Sequence, residues 1–305
     1  MTRFLLRRLL EIVPVLFVVA TLSFFLVRLA PGGPFSKSRV VSKEVMANIN
    51  HHYGLDKPLL TQYGDFLGHL AHGDLGPSFK YPTRSVNELI GQAFPVSAEL
   101  GLYGLGLAML LGIPCGIVAA ARHNRPTDYL VSAASLLGMC IPAYVLGPLL
   151  ILVFAITLGW CDASGWYGWN DRILPALVIG IGGAAGFARM TRSGMLEILS
   201  QDYIRTARAK GAGERAILFR HALRGGLTPV LSNMGPALAD ILTGSFAVEM
   251  IFQIPGLGRF FVNAAFNRDY TMVLGSVLFY ALLLLIFNLV FDVILVALNP
   301  RLKYE

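Results

Sequence analysis

The sequence predicts an all-α integral membrane protein: six transmembrane helices, with a helical external segment after the first. Three observations carry that expectation. Charged residues make up 14% of the 305-residue chain and hydrophobic residues 55%, whereas a soluble domain carries roughly 25% charged residues. The apolar residues collect in runs long enough to cross a bilayer, which takes about 20 residues each. The segments between the runs alternate between basic and nearly neutral, the pattern that separates cytoplasmic from external loops.

The first run, Ile12–Val27, follows Arg3, Arg7 and Arg8 and so resembles a signal peptide. It is longer than a signal h-region of about 7–15 residues and has no small-x-small cleavage site after it. It is therefore expected to be retained as a first membrane helix within residues 1–28. Residues 29–93 form the external segment. Val45, Met46, Ile49 and Tyr53 share one helical face that stops at Gly54. Leu59, Leu60, Tyr63, Phe66, Leu67 and Leu70 share another that stops at Gly73. Ser85 and Glu88 have capping-box spacing and predict a third short helix. This cap is expected to lie on the membrane or on partner domains.

Residues 94–305 hold the other five runs, near Phe94–Ala121, Tyr129–Leu158, Ile173–Phe187, Pro229–Glu249 and Val273–Leu298. Gly112 with Gly116, and Gly182 with Gly186, are small-xxx-small pairs that let helix backbones approach closely. They serve packing either inside this subunit or against a partner. Arg122 and Arg125 follow the second run, opposed by Asp128. Arg189, Arg192, Arg205, Arg208, Lys210, Arg215, Arg220 and Arg224 follow the fourth, opposed only by Glu197, Asp202 and Glu214; Arg301 and Lys303 follow the sixth. Both termini are then cytoplasmic. The net charge of +7 follows topology and needs no nucleic acid to explain it.

Candidate chemistry is sparse. No G-x-x-x-x-G-K-[ST] loop is present to cradle phosphates. Cys115, Cys140 and Cys161 fit no zinc or redox spacing. His69 and His72 lie a helical turn apart without a further ligand, so no metal site is expected. Acids inside apolar runs are more informative, because a charge in lipid is costly. Asp240 is mid-run in the fifth span, with Gly244 and Glu249 beyond it, and these three are the candidates for a translocation pathway. Asn288 and Asp292 are four apart on one face of the sixth span and read as a structural polar cluster.

The most specific segment is 201–228, QDYIRTARAKGAGERAILFRHALRGGLT. Tyr203, Ile204 and Ala207 punctuate one basic helix, and Ala216, Ile217, Phe219 and Leu223 a second. Lys210 to Gly213 breaks them apart, and Glu214 opens the second where negative charge suits the helix dipole. This segment resembles the coupling motif of binding-protein-dependent ABC importer permeases, in which an alanine-rich turn precedes a fixed glycine, here Ala207 and Gly211. Arg205 and Thr206 depart from the general pattern, as does Arg224 at a usual proline position, but in the manner of the oligopeptide/dipeptide subfamily. The strings FFLVRLAPGGPF, AHGDLGPSF, GSFAVEMIFQIPGLG, NRDY and NLVFDVILVALNPRLKY extend the likeness over nearly the whole chain.

The resemblance implies the six-span type I ABC importer permease fold. It implies pairing with a homologous C-type permease, two cytoplasmic ATPases that bind ATP and Mg, and an extracytoplasmic peptide-binding protein. Short peptides would be the cargo and a bacterial inner membrane the location, and no cofactor is expected in this chain. Coupling to the ATPase would involve Tyr203, Ile204, Arg205, Ala207, Arg208, Lys210, Gly211 and Glu214. Two other classes are an ion-coupled secondary transporter using Asp240 and Asp292, and an intramembrane enzyme. The first should show internal repeats, and none stands out. The second needs a nucleophile–base pair, for which no motif is present.

Overall fold

The computed structural model describes residues 2–29, 47–48, 50–51 and 53–298; the side chains at 2–7, 9, 242–244, 295–296 and 298 fall outside that description. Five helical stretches are long and apolar enough to cross a membrane: Leu10–Leu29, Val86–Ala121, Asn170–Leu199, Thr228–Ile251 and Tyr270–Ile294. A bent pair, Pro126–Cys140 with Ala143–Thr157, makes the sixth if it crosses as one span. Among the described residues the only β-type pairing is an isolated bridge between Pro77 and Ser85.

Two compact units divide the chain. One comprises residues 1–95 with 256–282, the other 96–255 with 283–305. In the first, helix α1 (Thr2–Leu29) is met by the external helix α2 (Leu59–Ala71). The Tyr63 ring lies 5.3 Å from both Phe24 and Phe25, Phe66 stacks on Phe24 at 5.3 Å, and the Tyr63 hydroxyl is 2.7 Å from Thr21 Oγ1. Tyr63 and Phe66 of the predicted apolar face of α2 therefore pack on the chain's own first span, while Leu60 stays exposed. Gly73 (φ +73°) stops α2 in the left-handed region, and Gly54 (φ +62°) takes the same conformation, where glycine carries no Cβ penalty. Val45, Met46 and Ile49, on the other predicted external face, lie outside the described residues.

The third external helix is not separate. It forms the first turns of α3 (Val86–Ala121), whose start is capped by Ser85 Oγ accepting from Glu88 N at 3.2 Å. Val86, Leu89, Ile90 and Ala93 bury one face against Leu257 and Ala264 of helix α12 (Leu257–Asn267) and Met272 of α13 (Tyr270–Leu298). That burial gives the chain no reason to break before the span. Asp269 caps α13, accepting from Met272 N at 3.2 Å. It also takes the Ser78 hydroxyl and Phe79 N at 3.1 Å. The strings AHGDLGPSF and NRDY thus meet at one buried carboxylate.

In the second unit, the third predicted span is broken. Helix α4 (Pro126–Cys140) and helix α5 (Ala143–Leu150), prolonged as a π-helix to Thr157, diverge by 100°. Pro142 forces the preceding Ile141 out of the helical region, to φ −84°, ψ 113°. Helix α6 (Asn170–Leu199) is longer than its apolar run and crosses α3 at glycines. A Cβ on Gly112 would lie 2.6 Å from Ala184 O, and one on Gly116 2.5 Å from Ala188 O. That pair therefore serves packing inside this subunit. Then follow α7 (Asp202–Ala209), α8 (Glu214–Ala216) with a π-helical turn Ile217–Ala222, and α9 (Leu223–Gly226). The fifth span consists of α10 (Thr228–Gly244) and α11 (Phe246–Ile251), jointed at Ser245. The later part of α13 meets α10 where a Cβ on Gly235 would lie 2.7 Å from Asn288 Oδ1, a close contact that suits the structural reading of Asn288. Asp292, one turn further along α13, is partly exposed.

Candidate functional site: the coupling segment and the cavity along α6

Helix α7 is short and amphipathic because Ile204 is its one residue turned fully inward. Ile204 is buried with Ile217, Ala222, Met195 and Ala120, so it ties the segment to the ends of α6 and α3. The sequence placed Ile204 among residues offered to an ATPase; the structure assigns it to seating the helix on its own subunit. Tyr203 is exposed and Ala207 partly so, which leaves these two on the outward apolar face. Two of the expected docking cations are spent internally. Arg208 grips Glu214 across the turn, Nε to Oε1 at 3.0 Å and Nη2 to Oε2 at 3.4 Å, while Arg205 pairs with Asp202 at 3.3 Å. No described residue hydrogen-bonds or ion-pairs with the side chains of Lys210, Arg215 or Arg220, which remain available to a partner.

Gly211 makes the turn at φ +85°, with nothing within 4 Å of where a Cβ would stand. Its backbone angle needs glycine, and its surroundings leave the turn open to an approaching surface. Behind the turn the packing is tight. A Cβ on Gly225 would lie 2.9 Å from Ile198 Cδ1, and one on Gly226 3.0 Å from Met195 Cγ. Those two glycines let α9 lie directly on α6, which seats the segment against the span.

A second anchor was invisible as a site in the sequence, where Asp128 counted only as loop charge. Asp128 is 1% exposed. It accepts from Arg192 Nε, from Arg192 Nη2 at 2.8 Å, from Asn124 N at 3.0 Å, and lies 3.2 Å from His123 Nδ1. The start of α4 is thereby bound to α6 about two turns before that helix ends at Leu199. The available signal was an acid in the first turn of a membrane helix facing a segment rich in arginine.

Along its middle turns α6 borders a cavity of about 490 Å3, lined among others by Gly182, Gly186, Asn233, Pro236, Asp240 and Ser245. A Cβ on Gly182 or Gly186 would meet nothing within 4 Å. This second small pair keeps a wall open, where the first makes a crossing. Asn233, Pro236 and Asp240 line one face of α10, and Asp240 is exposed. Gly244 ends α10, and its surroundings lie outside the described residues. Glu249 is not on the cavity. It is 0% exposed and accepts from Ser97 Oγ at 2.7 Å and Ser245 Oγ at 2.8 Å, binding the joint of the fifth span to α3. The sequence grouped it with Asp240 because both are intramembrane acids, but burial with two hydroxyl donors makes it a fastening. Among the described residues no group of three or more His, Cys, Asp or Glu is arranged to hold a metal ion.

A span bundle whose cavity wall runs without interruption into a seated, outward-facing helix–turn–helix defines an importer permease of the type I ABC fold. The comparisons agree. Residues 112–304 match the family described as binding-protein-dependent transport system inner membrane component, and residues 1–100 its N-terminal partner model. The chain belongs to this family. It is 47% identical over 306 residues, covering 100% of both chains, to the oligopeptide transport system permease protein OppB of Salmonella typhimurium, and likewise to that of Escherichia coli strain K12. It is 40% identical to the dipeptide transport system permease protein DppB of Bacillus subtilis, over 99% of this chain and 98% of the relative. An inward-facing structure of the MetNI methionine ABC transporter shares the fold, with a TM-score of 0.58 at 21% identity over 69% of this chain and 96% of that one.

Proposed function

We propose that this chain is one of two permease subunits of an ATP-driven importer that carries short peptides across a bacterial inner membrane by alternating access. The observation that carries the reading is the continuity of α6. Its Gly182–Gly186 stretch walls the cavity, and its far end carries the coupling segment through Ile204, Gly225 and Gly226. A helix of 30 residues spans about 45 Å at 1.5 Å per residue, enough to carry a displacement from a cytoplasmic face into the membrane. Peptide cargo is inferred from the relatives, whose names state oligopeptide and dipeptide transport.

In this mechanism ATP and Mg are bound by separate ATPase subunits, and this chain contributes no catalytic group and no cofactor. Closure of the ATPases displaces the seated α7–α9 segment, α6 follows it, and the cavity changes its side of access. ATP energy shifts a two-state equilibrium, and peptide passes from an extracytoplasmic binding protein through a path shared with a second, C-type permease. Both termini and the coupling segment lie on the cytoplasmic side, as the arginine distribution requires. The test is reconstitution of this chain with its second permease, ATPases and binding protein in proteoliposomes. Labelled tripeptide should accumulate only with ATP. Uptake driven by an ion gradient without ATP would refute the reading.

A further inference from the structure

We propose that the groove between α4 and α6, on the side of their contact nearer the basic end of α6, is a binding site for the phosphate headgroup of an anionic phospholipid. The two helices pack closely at Gly138, where a Cβ would lie 3.1 Å from Ala185 Cβ. One to two turns further along they enclose a cavity of about 290 Å3, lined by Ser132, Ser135, Leu136, Met139, Arg189 and Arg192 among others. Its two guanidiniums differ. Arg192 is neutralised by Asp128. No described residue hydrogen-bonds or ion-pairs with the side chains of Arg189, Ser132 or Ser135. The groove therefore holds one uncompensated positive charge and two hydroxyl donors that no protein acceptor uses.

The surroundings select the source of the anion. Leu136 and Met139 in the groove are 60% and 50% exposed, and Leu130 and Leu137 on the same helix are 70% and 65% exposed, so the donors open beside an apolar surface. A free guanidinium at such a place is costly unless an anion reaches it. A phospholipid supplies the phosphate for Arg189 and the hydroxyls, and acyl chains for the leucines. Basic pockets between membrane helices on the cytoplasmic side are suited to such headgroups. The leaflet rests on the orientation proposed above, which puts Arg189 inside. Because Arg189 lies one turn from Arg192 and its Asp128 anchor, a bound lipid would brace the same part of α6 that carries the coupling segment.

The test uses the intact complex in phosphatidylcholine nanodiscs containing a minor fraction of phosphatidylglycerol. The lipid retained after extraction into detergent is measured by native mass spectrometry, and ATP-driven uptake is read in parallel proteoliposomes. Wild-type complex should retain phosphatidylglycerol in preference to phosphatidylcholine. Arg189→Gln should reduce that preference by about tenfold, the scale of one lost charge-assisted contact. Arg189→Lys should keep most of it, and Arg215→Gln, an equal loss of charge outside the groove, should leave it unchanged. Inorganic phosphate should not displace the lipid. A photoreactive group in place of Leu136 should label lipid. Equal retention in wild type and Arg189→Gln, displacement by inorganic phosphate, or cross-linking of position 136 to the second permease would each overturn the proposal. Such a result with ATP-dependent uptake intact rejects this site alone; loss of ATP dependence in the wild type rejects the importer reading instead.

Discussion

Asp128 and Asp240 show how depth and partners divide two acids of the same charge. Asp128 is fastened by Arg192, His123 and the Asn124 amide, so its removal leaves a guanidinium without its counter-charge. Asp128→Ala is expected to destabilise the subunit by about 1–3 kcal/mol, a range held below that of a fully buried pair because the Arg192 side chain is 29% exposed. The check is a lower midpoint of thermal unfolding for the detergent-solubilised complex, with an unchanged midpoint counting against the anchor. Asp240, exposed on the cavity, is expected to act on cargo. Asp240→Asn should change uptake of cationic peptides severalfold more than of neutral ones, while equal loss for all peptides with poor assembly would make it structural. Hydropathy singled out Asp240 as an acid inside an apolar run, and the left-handed turn at Gly211 was legible because a glycine between two basic helices had no other local use. Ile204 and Glu249 were not legible in the same way. An amphipathic pattern tells which residues share a face, but it does not tell whether that face looks into the subunit or out of it.

At the scale of elements, hydropathy located the spans but not their breaks or true ends. The 100° bend at Ile141–Pro142 sits inside an unbroken apolar run, where burial energy is the same whether the helix is straight or bent, and only the proline marked it. Helix α6 outran its apolar stretch, and Arg192, beyond that stretch, is held by Asp128. The two glycine pairs, identical in spacing, proved opposite in use. Gly116→Val places methyl groups against Ala188 O and Thr191 Cβ, which a Cβ would already approach to 2.5 and 2.6 Å. It is expected to cost about 1–3 kcal/mol by overpacking and to lower recovery of folded protein in a fluorescence size-exclusion assay. Gly186→Ala meets open space and should leave recovery unchanged while slowing uptake, since it adds a methyl to the cavity wall. If both variants fold equally well, the α3–α6 crossing is not where the structure places it.

Across the whole molecule, charge distribution and hydropathy together assigned a topology that the described helices accommodate when the bent pair crosses as one span. Cys161, partly exposed in the segment between α5 and α6, should react with a membrane-impermeant thiol reagent in cells with a permeabilised outer membrane, and labelling confined to the cytoplasmic side would reverse the orientation. The family was legible because motif strings far apart in sequence serve shared contacts, as Ser78 and Asp269 do. The central claim is that displacement enters through the α7–α8 turn and travels along α6, and the most direct test is Gly211→Val in the fully reconstituted complex, with ATP hydrolysis and peptide uptake measured in the same proteoliposomes. A β-branched residue at φ +85° strains the turn by about 1–3 kcal/mol and adds bulk on the open face, while Ile204 still seats the helix. The account predicts normal membrane insertion, with uptake lost and hydrolysis either released from cargo control or lost together with the ATPases. Normal ATPase recovery with normal peptide-stimulated hydrolysis and uptake would contradict it.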